Sequence, residues 1–114
     1  MVWGTGNARR EFLHCDDFAD ACIFLMERYN ASDVEPFINI GSGTDVTIRE
    51  LAYLIAELSG FEGKIEFDTT KPDGTPQKLL DVSRMSRLGW SYKISLRDGL
   101  EKTIRWFCEN KNRL

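Results

Sequence analysis

The sequence has no long apolar run and no excess of basic residues. No apolar stretch approaches the roughly 18 residues of a membrane-spanning helix, and the N-terminus has no charged leader followed by an apolar segment. With 15 Lys and Arg against 18 Asp and Glu, the net charge is −3. The chain therefore lacks the basic footprint of a nucleic-acid-binding protein. We predict neither a membrane nor a nucleic acid as a partner.

Cysteine is also scarce. The three cysteines, Cys15, Cys22 and Cys108, are odd in number and widely spaced. They stand in apolar or helical surroundings, a pattern that favours reduced thiols over a disulfide framework. This pattern predicts a cytoplasmic location.

The composition is that of one soluble globular domain. The chain has 114 residues, of which 42% are hydrophobic and 29% charged. This length is typical of a single domain, and neither fraction is typical of disordered or fibrous chains. We therefore predict a single domain over residues 1–114.

Apolar spacing and capping signals predict four helices separated by short strands. The strongest helix start is the capping box of Thr47 and Glu50, and Gly60 is the expected end of that helix. A first helix is predicted from Asp16 or Asp17 to about Arg28, with Phe18 on its core face. Ser83 is expected to cap a short helix that ends at Gly89, and Ser95 to cap a last helix with Phe107 on its core face. The first residues are expected to form a glycine-containing loop, and strands are predicted at 12–15, 37–40, 64–68 and 79–82. The predicted fold class is α/β, a small mixed lobe of about four helices and a few short strands.

Two Gly-x-Gly turns, at residues 4–6 and 41–43, do not continue into a dinucleotide-binding fingerprint. The third glycine of that fingerprint is missing in both, and Val46 stands in its place after the second turn. We therefore interpret these glycines as turn residues and predict no cofactor-binding residues in the chain.

Residues 14–17 combine a histidine, a cysteine and two aspartates, which are metal-ligating residue types. On a strand, neighbouring side chains point to opposite faces and do not converge on one ion. We therefore predict no metal site. The expected roles are local: Asp16 caps the first helix, and His14 makes a hydrogen bond nearby.

Several charged residues lie in or beside predicted loops, where a ligand can reach them. Arginine offers a planar fork that matches phosphate oxygens, and lysine adds a compact positive charge. One of each converging on a site suits a diphosphate. The candidates are Arg9, Arg10, Lys71, Lys78 and the neighbouring Asp73.

Three segments in order resemble extended short-chain dehydrogenases at the entry to their substrate domain. They are VWGTGNARREFLHCDDFADAC (residues 2–22), INIGSGTDVTIRELA (38–52) and LLDVSRMSRLGW (79–90). The resemblance covers nearly the whole chain and is shared by many nucleotide-sugar epimerases and dehydratases. It implies the substrate-binding domain of an NAD(P)-binding, Rossmann-type epimerase or reductase.

The loop at residues 71–80, KPDGTPQKLL, resembles more narrowly that of GDP-L-fucose synthases. Those enzymes convert GDP-4-keto-6-deoxymannose to GDP-L-fucose by 3,5-epimerisation and reduction of C4 by NADPH. The resemblance implies that Trp3 packs near the hexose and that Arg10 and Lys78 hold the diphosphate. Asp73 would contact the nucleoside or shape its loop. The implied partner is a GDP-sugar.

The chain departs from the family in the residues that perform the chemistry. It has no strand followed by a glycine-rich cofactor turn and no tyrosine four residues before a lysine, and Tyr92 and Lys93 have the wrong spacing. We therefore expect no catalytic residues here and no binding of NADP(H) by this chain alone. NADP(H) and a Rossmann domain, in cis or in trans, are implied for the complete family enzyme.

Three other interpretations remain open. The chain could be a non-catalytic nucleotide-sugar-binding or scaffold module, or the lobe of another NAD-dependent nucleotide-sugar epimerase or dehydratase. A third interpretation is a domain that only folds, or that forms a homo-oligomer through its apolar surface.

Overall fold

Four helices and five short strands alternate along the described chain. The computed structural model describes residues 1–34 and 36–111. In chain order the elements are β1 (Val2–Trp3), β2 (Arg9–Glu11), α1 (Cys15–Arg28), β3 (Asp45–Thr47), α2 (Ile48–Ser59), β4 (Phe67–Asp68), β5 (Gln77–Lys78), α3 (Ser83–Arg87) and α4 (Leu96–Asn110). The predicted fold class is confirmed.

The strands form two small sheets. β1 pairs in parallel with β4, so that Val2 lies opposite Phe67. In the second sheet β2 is central, with β3 antiparallel on one side and β5 parallel on the other. The second sheet therefore brings together three segments that are distant in the sequence.

Short side-chain caps define the starts of the two amphipathic helices α2 and α4. The Thr47 hydroxyl accepts from the Glu50 N–H at 3.0 Å, and the Glu50 carboxylate accepts from the Thr47 N–H at 2.7 Å. This is the predicted capping box, and Gly60 ends the helix at a φ of 67°. The Ser95 hydroxyl likewise accepts from the Asp98 N–H at 3.1 Å, so that predicted cap is also confirmed.

The N-cap residue predicted for α1, Asp16, is wrong. The helix begins at Cys15, and its N-cap is His14, whose Nδ1 accepts from the Asp16 N–H at 3.2 Å. Asp16 is therefore inside the first turn, where its negative charge interacts favourably with the positive end of the helix dipole. The predicted N-cap of α3 is also wrong. Ser83 is the first residue inside that helix, and its N–H donates to the Asp81 carboxylate.

The predicted strands are displaced or absent. Residues 2–3 form a strand where a loop was expected, and β2 comes before the predicted 12–15 segment. β5 likewise precedes the predicted strand at 79–82, and the predicted 64–68 strand is reduced to β4. Within the described part of the chain, residues 37–40 pair with no strand, although Ile38 and Ile40 pack against the core.

The core lies between α1, α3 and the segment that leads to α4. It centres on Ala21, Met85 and Trp90. A buried carboxylate closes one side of it, because Asp17 accepts from the backbone N–H of Lys93 at 3.2 Å and of Ile94 at 2.9 Å. These two hydrogen bonds compensate the cost of burying the charge and fix the approach to α4.

The lobe is extended and exposes much of its apolar surface. Its radius of gyration is 17.0 Å, whereas about 13 Å is usual for a domain of this length. Its accessible surface is 8281 Å², against about 6,400 Å² for a monomer of this mass. Phe18 and Phe107, both predicted to face the core, are about half exposed. No described helix is both long and apolar enough to cross a lipid bilayer.

Candidate functional site

The two cations predicted to hold a diphosphate are neighbours on the second sheet. Arg10 on β2 is the register partner of Lys78 on β5. Directly opposed residues on paired strands share one face of the sheet at a strand spacing of roughly 4.8 Å. The strand pairing therefore brings together an arginine and a lysine that are far apart in the sequence.

Neither of these two cations forms an ion pair with a carboxylate of the described residues. The Arg10 guanidinium donates to the Arg9 carbonyl at 2.6 Å, and Lys78 is exposed. Arg10 Nη2 also lies near Gly74, since a Cβ added to Gly74 would be 3.8 Å from it. This face of the sheet thus carries two positive charges that a ligand anion can neutralise.

The opposite face of the same sheet holds a polar network that fixes the strand register. Asp45 accepts from Arg9 Nε at 2.7 Å and from Gln77 Nε2 at 2.5 Å, which joins all three strands. The Asp45 side chain is 7% exposed. Donation by Gln77 and then by Arg9 lowers the pKa of Asp45 below its ordinary value. Arg9 was a candidate for phosphate binding, but its side chain pairs with Asp45 and stabilises the sheet.

Asp73 anchors the β4–β5 loop, residues 69–76, to the turn after β1. One carboxylate oxygen accepts from the Thr5 N–H at 2.6 Å and the other from the Thr5 hydroxyl at 2.7 Å. Donation by the Thr5 side chain and backbone lowers the pKa of Asp73. Asp73 therefore shapes its loop.

The turn at residues 4–6 is built to receive this carboxylate. Gly4 has a φ of 82°, and a Cβ added to it would overlap a carboxylate oxygen of Asp73. A side chain at this position would thus be both strained and in steric conflict with the loop. The glycine is needed for the close approach of the aspartate.

Trp3 lies beside the same loop. Its indole is 72% exposed, and Lys71 Nζ lies 5.7 Å from the ring centroid. Trp3 also comes directly before the Gly4 turn that Asp73 contacts. All four predicted site residues therefore lie on or beside the β4–β5 loop, and their roles toward a ligand stay predictions.

Sequence reasoning missed Glu11, which connects three segments behind the cationic face. Its carboxylate accepts from the Gly43 N–H at 2.6 Å, the Ser42 hydroxyl at 3.3 Å and the Leu80 N–H at 2.9 Å. Thr5, the partner of Asp73, was missed as well. Hydrogen bonds between residues so distant in sequence leave no local signal.

The two Gly-x-Gly turns do not fit NADP(H). The first turn packs on the Asp73 carboxylate, and the second donates an N–H to the Glu11 carboxylate. Each turn therefore holds an anion of its own chain in the place that a pyrophosphate would need.

The side chains of residues 14–16 come closer together than expected. One ligand atom from each of His14, Cys15 and Asp16 lies within 4.8 Å of the others. The expectation that they diverge was wrong because the segment turns into α1 at Cys15 instead of continuing as a strand. His14 Nδ1 is already the acceptor that caps the helix, and the helix dipole places partial positive charge there. Both features oppose a cation.

One large cleft of the described surface lies apart from the predicted site, and a small one includes a residue of that site. A cleft of about 500 Å³ is lined by residues 14–16 together with Lys102, Thr103 and Trp106 of α4. A small cleft of about 50 Å³ includes Arg10. Residues 71–80 are exposed throughout. The cationic face is therefore open to solvent in the described chain.

The sequence is similar to known nucleotide-sugar enzymes. Residues 1–41 match the NAD dependent epimerase/dehydratase family. GDP-L-fucose synthase 1 of Arabidopsis thaliana is 58% identical over 110 residues, which are 96% of this chain and 33% of that protein. GDP-L-fucose synthase of Escherichia coli K12 is 50% identical over 119 aligned residues, covering 99% of this chain and 37% of that protein.

The fold agrees with this relationship. A GDP-L-fucose synthetase from Naegleria fowleri, solved bound to NADP, superposes with a TM-score of 0.87 at 28% identity. The match covers 97% of this chain and 35% of that structure. By fold and by sequence the chain is related to the nucleotide-sugar epimerases, dehydratases and reductases. Among these enzymes it is similar to part of the GDP-L-fucose synthases, and it spans about a third of the length of those relatives.

Proposed function

We propose that the chain binds a GDP-deoxyhexose as the substrate lobe of an NADPH-dependent 3,5-epimerase and 4-reductase that makes GDP-L-fucose from GDP-4-keto-6-deoxymannose. The observation that carries the proposal is the pairing of Arg10 with Lys78 on one face of the second sheet. The sequence identity to GDP-L-fucose synthases supports the choice of a GDP-sugar.

The two cations suit a diphosphate for distinct chemical reasons. The Arg10 guanidinium can donate two parallel hydrogen bonds to phosphate oxygens, and the Lys78 ammonium adds a compact charge to the neighbouring phosphate. Since neither forms an ion pair with a described carboxylate, binding breaks no salt bridge. The attraction between the two cations and the diphosphate would strengthen if a neighbouring domain covered this face and excluded water.

Trp3 and Asp73 would complete the site in different ways. An indole that is 72% exposed beside the β4–β5 loop offers a flat apolar face against which a hexose can pack. Asp73 would act through the loop, because its two carboxylate oxygens accept hydrogen bonds from the backbone and the hydroxyl of Thr5. Its contribution is the position of the loop that leads to Lys78.

A Rossmann-type cofactor-binding domain, in cis or in trans, would cover the open side of this site. The excess of exposed apolar surface and the open cationic face both support such a neighbour. That domain would bind NADP(H) and supply the hydride donor and the acid and base groups. The chain by itself would bind and not catalyse. Its three free cysteines suit the reducing cytoplasm.

Titration calorimetry with GDP-L-fucose and with UDP-glucose tests the proposal. We expect saturable binding that prefers the GDP-sugar. Arg10→Ala and Lys78→Ala should each weaken it by about 10- to 100-fold, as expected when the charge-assisted hydrogen bonds of one cation are lost. Lys64→Ala is the matched control. Its exposed ammonium forms an ion pair with Glu66 at 3.0 Å and with no other carboxylate of the described residues, so it should leave the affinity unchanged.

The outcomes separate the alternatives. Equal affinity for both sugars would contradict the GDP assignment and favour the lobe of another nucleotide-sugar enzyme. Binding that survives both alanine substitutions would contradict the diphosphate site. Reduction of NADP or of a keto sugar by the purified chain would contradict the absence of catalysis.

A further inference from the structure

We infer that Glu11 is a positioning residue that holds Lys78 in register with Arg10. The inference rests on the proposed function, because it concerns the two cations assigned to the diphosphate. Glu11 itself lies on the face of β2 opposite to Arg10, since neighbouring strand residues point to opposite faces. It would thus act on the ligand only through the strand that carries Lys78.

The position of β5 is fixed on both sides of Lys78. Before it, the Gln77 side chain donates to Asp45, and the Arg9 N–H donates to the Pro76 carbonyl at 2.8 Å. After it, where the strand pairing has ended, the Leu80 N–H donates to Glu11 at 2.9 Å. Lys78 therefore lies in a short segment held at both ends, and Glu11 supplies the second anchor.

The Glu11 side chain is itself held by hydrogen bonds from residues 41–43. Its other carboxylate oxygen accepts from the Gly43 N–H at 2.6 Å and from the Ser42 hydroxyl at 3.3 Å. A Cβ added to Gly41 would overlap this carboxylate. Hydrogen bonds to a charged acceptor are short and strong. The turn thus orients the carboxylate that fixes the end of β5.

Substitution of Glu11 by glutamine tests the role with little change of shape. A glutamine keeps one acceptor oxygen, but its amide group then faces an N–H donor. In the chain without ligand, we expect amide exchange at Leu80 and Gly43 to become about tenfold faster in Glu11→Gln. The exchange of α2 amides should not change. The control is Glu62→Gln, which alters an exposed carboxylate that makes no hydrogen bond among the described residues.

A double-mutant cycle then separates positioning from general stability. Glu11→Gln should weaken GDP-L-fucose binding by about tenfold in the unsubstituted chain and add almost nothing in a Lys78→Ala background. Additive losses would overturn the inference, as would unchanged exchange at Leu80 or a uniform increase over all elements. If the unsubstituted chain binds no GDP-sugar, the proposed function fails. The exchange measurement still decides whether Glu11 holds the end of β5.

Discussion

Asp73 illustrates how one residue of the loop acts through a distant part of the chain. The resemblance implied that Asp73 contacts the nucleoside or shapes its loop. The carboxylate accepts two hydrogen bonds from Thr5, which is 68 positions away, and so shapes the loop, while a contact with the nucleoside stays a prediction. The sequence identified the right loop, but neither composition nor spacing reveals which distant donor meets an aspartate. The same limit hid Glu11.

The lowered pKa of Asp73 predicts an acid-dependent release of the β4–β5 loop. Only the ionised carboxylate accepts both hydrogen bonds from Thr5, so its folded-state pKa lies below the ordinary value of about 3.9. This stabilisation is complete above that ordinary value and is lost as the pH falls through the folded-state pKa. We expect the NMR signals of residues 69–76 to stay constant from neutral pH to about pH 5 and to shift below about pH 4.

The Asp73→Asn variant identifies the group responsible. Its loop should already be loosened at neutral pH and should lack the acid-induced change. An acid transition that persists unchanged in this variant would assign the effect to another carboxylate. Asp45 is the natural comparison, because its pKa is also lowered, by Gln77 and Arg9.

Helix ends were the elements that the sequence predicted best. The Thr47 capping box and the Gly60 C-cap depend on residues within a few positions of each other, so that local chemistry decides them. His14 was missed because aspartate is the more usual cap, and two aspartates follow it. Strand positions were predicted poorly, since residues 9–11 form a strand only through partners at 45–47 and 77–78.

The α2 cap gives a prediction at the scale of one element. Thr47→Ala removes the hydroxyl that accepts from the Glu50 N–H, and we expect it to lower the free energy of unfolding by about 1 kcal/mol. Urea denaturation followed by circular dichroism measures this. Thr69→Ala removes a hydroxyl that makes no hydrogen bond among the described residues and should change stability little. Equal losses in the two variants would contradict the role of the cap.

The radius of gyration of the whole molecule, 17.0 Å, is larger than is usual for a domain of this length. The apolar residues Met26 and Phe37 are 82% and 80% exposed, and the buried core around Met85 is small. Residues 37–40 were predicted as a short strand closed by the glycine turn that follows, and two of them, Ile38 and Ile40, are partly buried against the core. A strand also needs a neighbour with free backbone groups, and the described chain offers none to this segment. Sequence periodicity alone cannot supply that neighbour.

The exposed surface predicts concentration-dependent association of the isolated chain. We expect the sedimentation coefficient to rise with protein concentration, because apolar area without a partner drives self-association. Replacing Met26 and Phe37 by glutamine and serine should reduce this rise. A control with two polar surface changes, Lys64→Gln and Thr69→Ser, should not. A constant sedimentation coefficient at every concentration would show that the exposed surface does not promote association.

The second sheet also sets the order of events during folding. Its central strand β2 can pair with β3 only after the segment that contains α1 has closed as a loop, and with β5 only after the longer segment that also contains α2 and the β4–β5 loop has done so. Closing such long loops costs entropy before any contact between the strands compensates it, so pairing of this kind is slow compared with helix formation. We therefore expect α1, α2 and α4 to form early and the pairing of Arg10 with Lys78 to come late. A nascent or partly folded chain would then contain most of its helices before it acquires any affinity for a diphosphate.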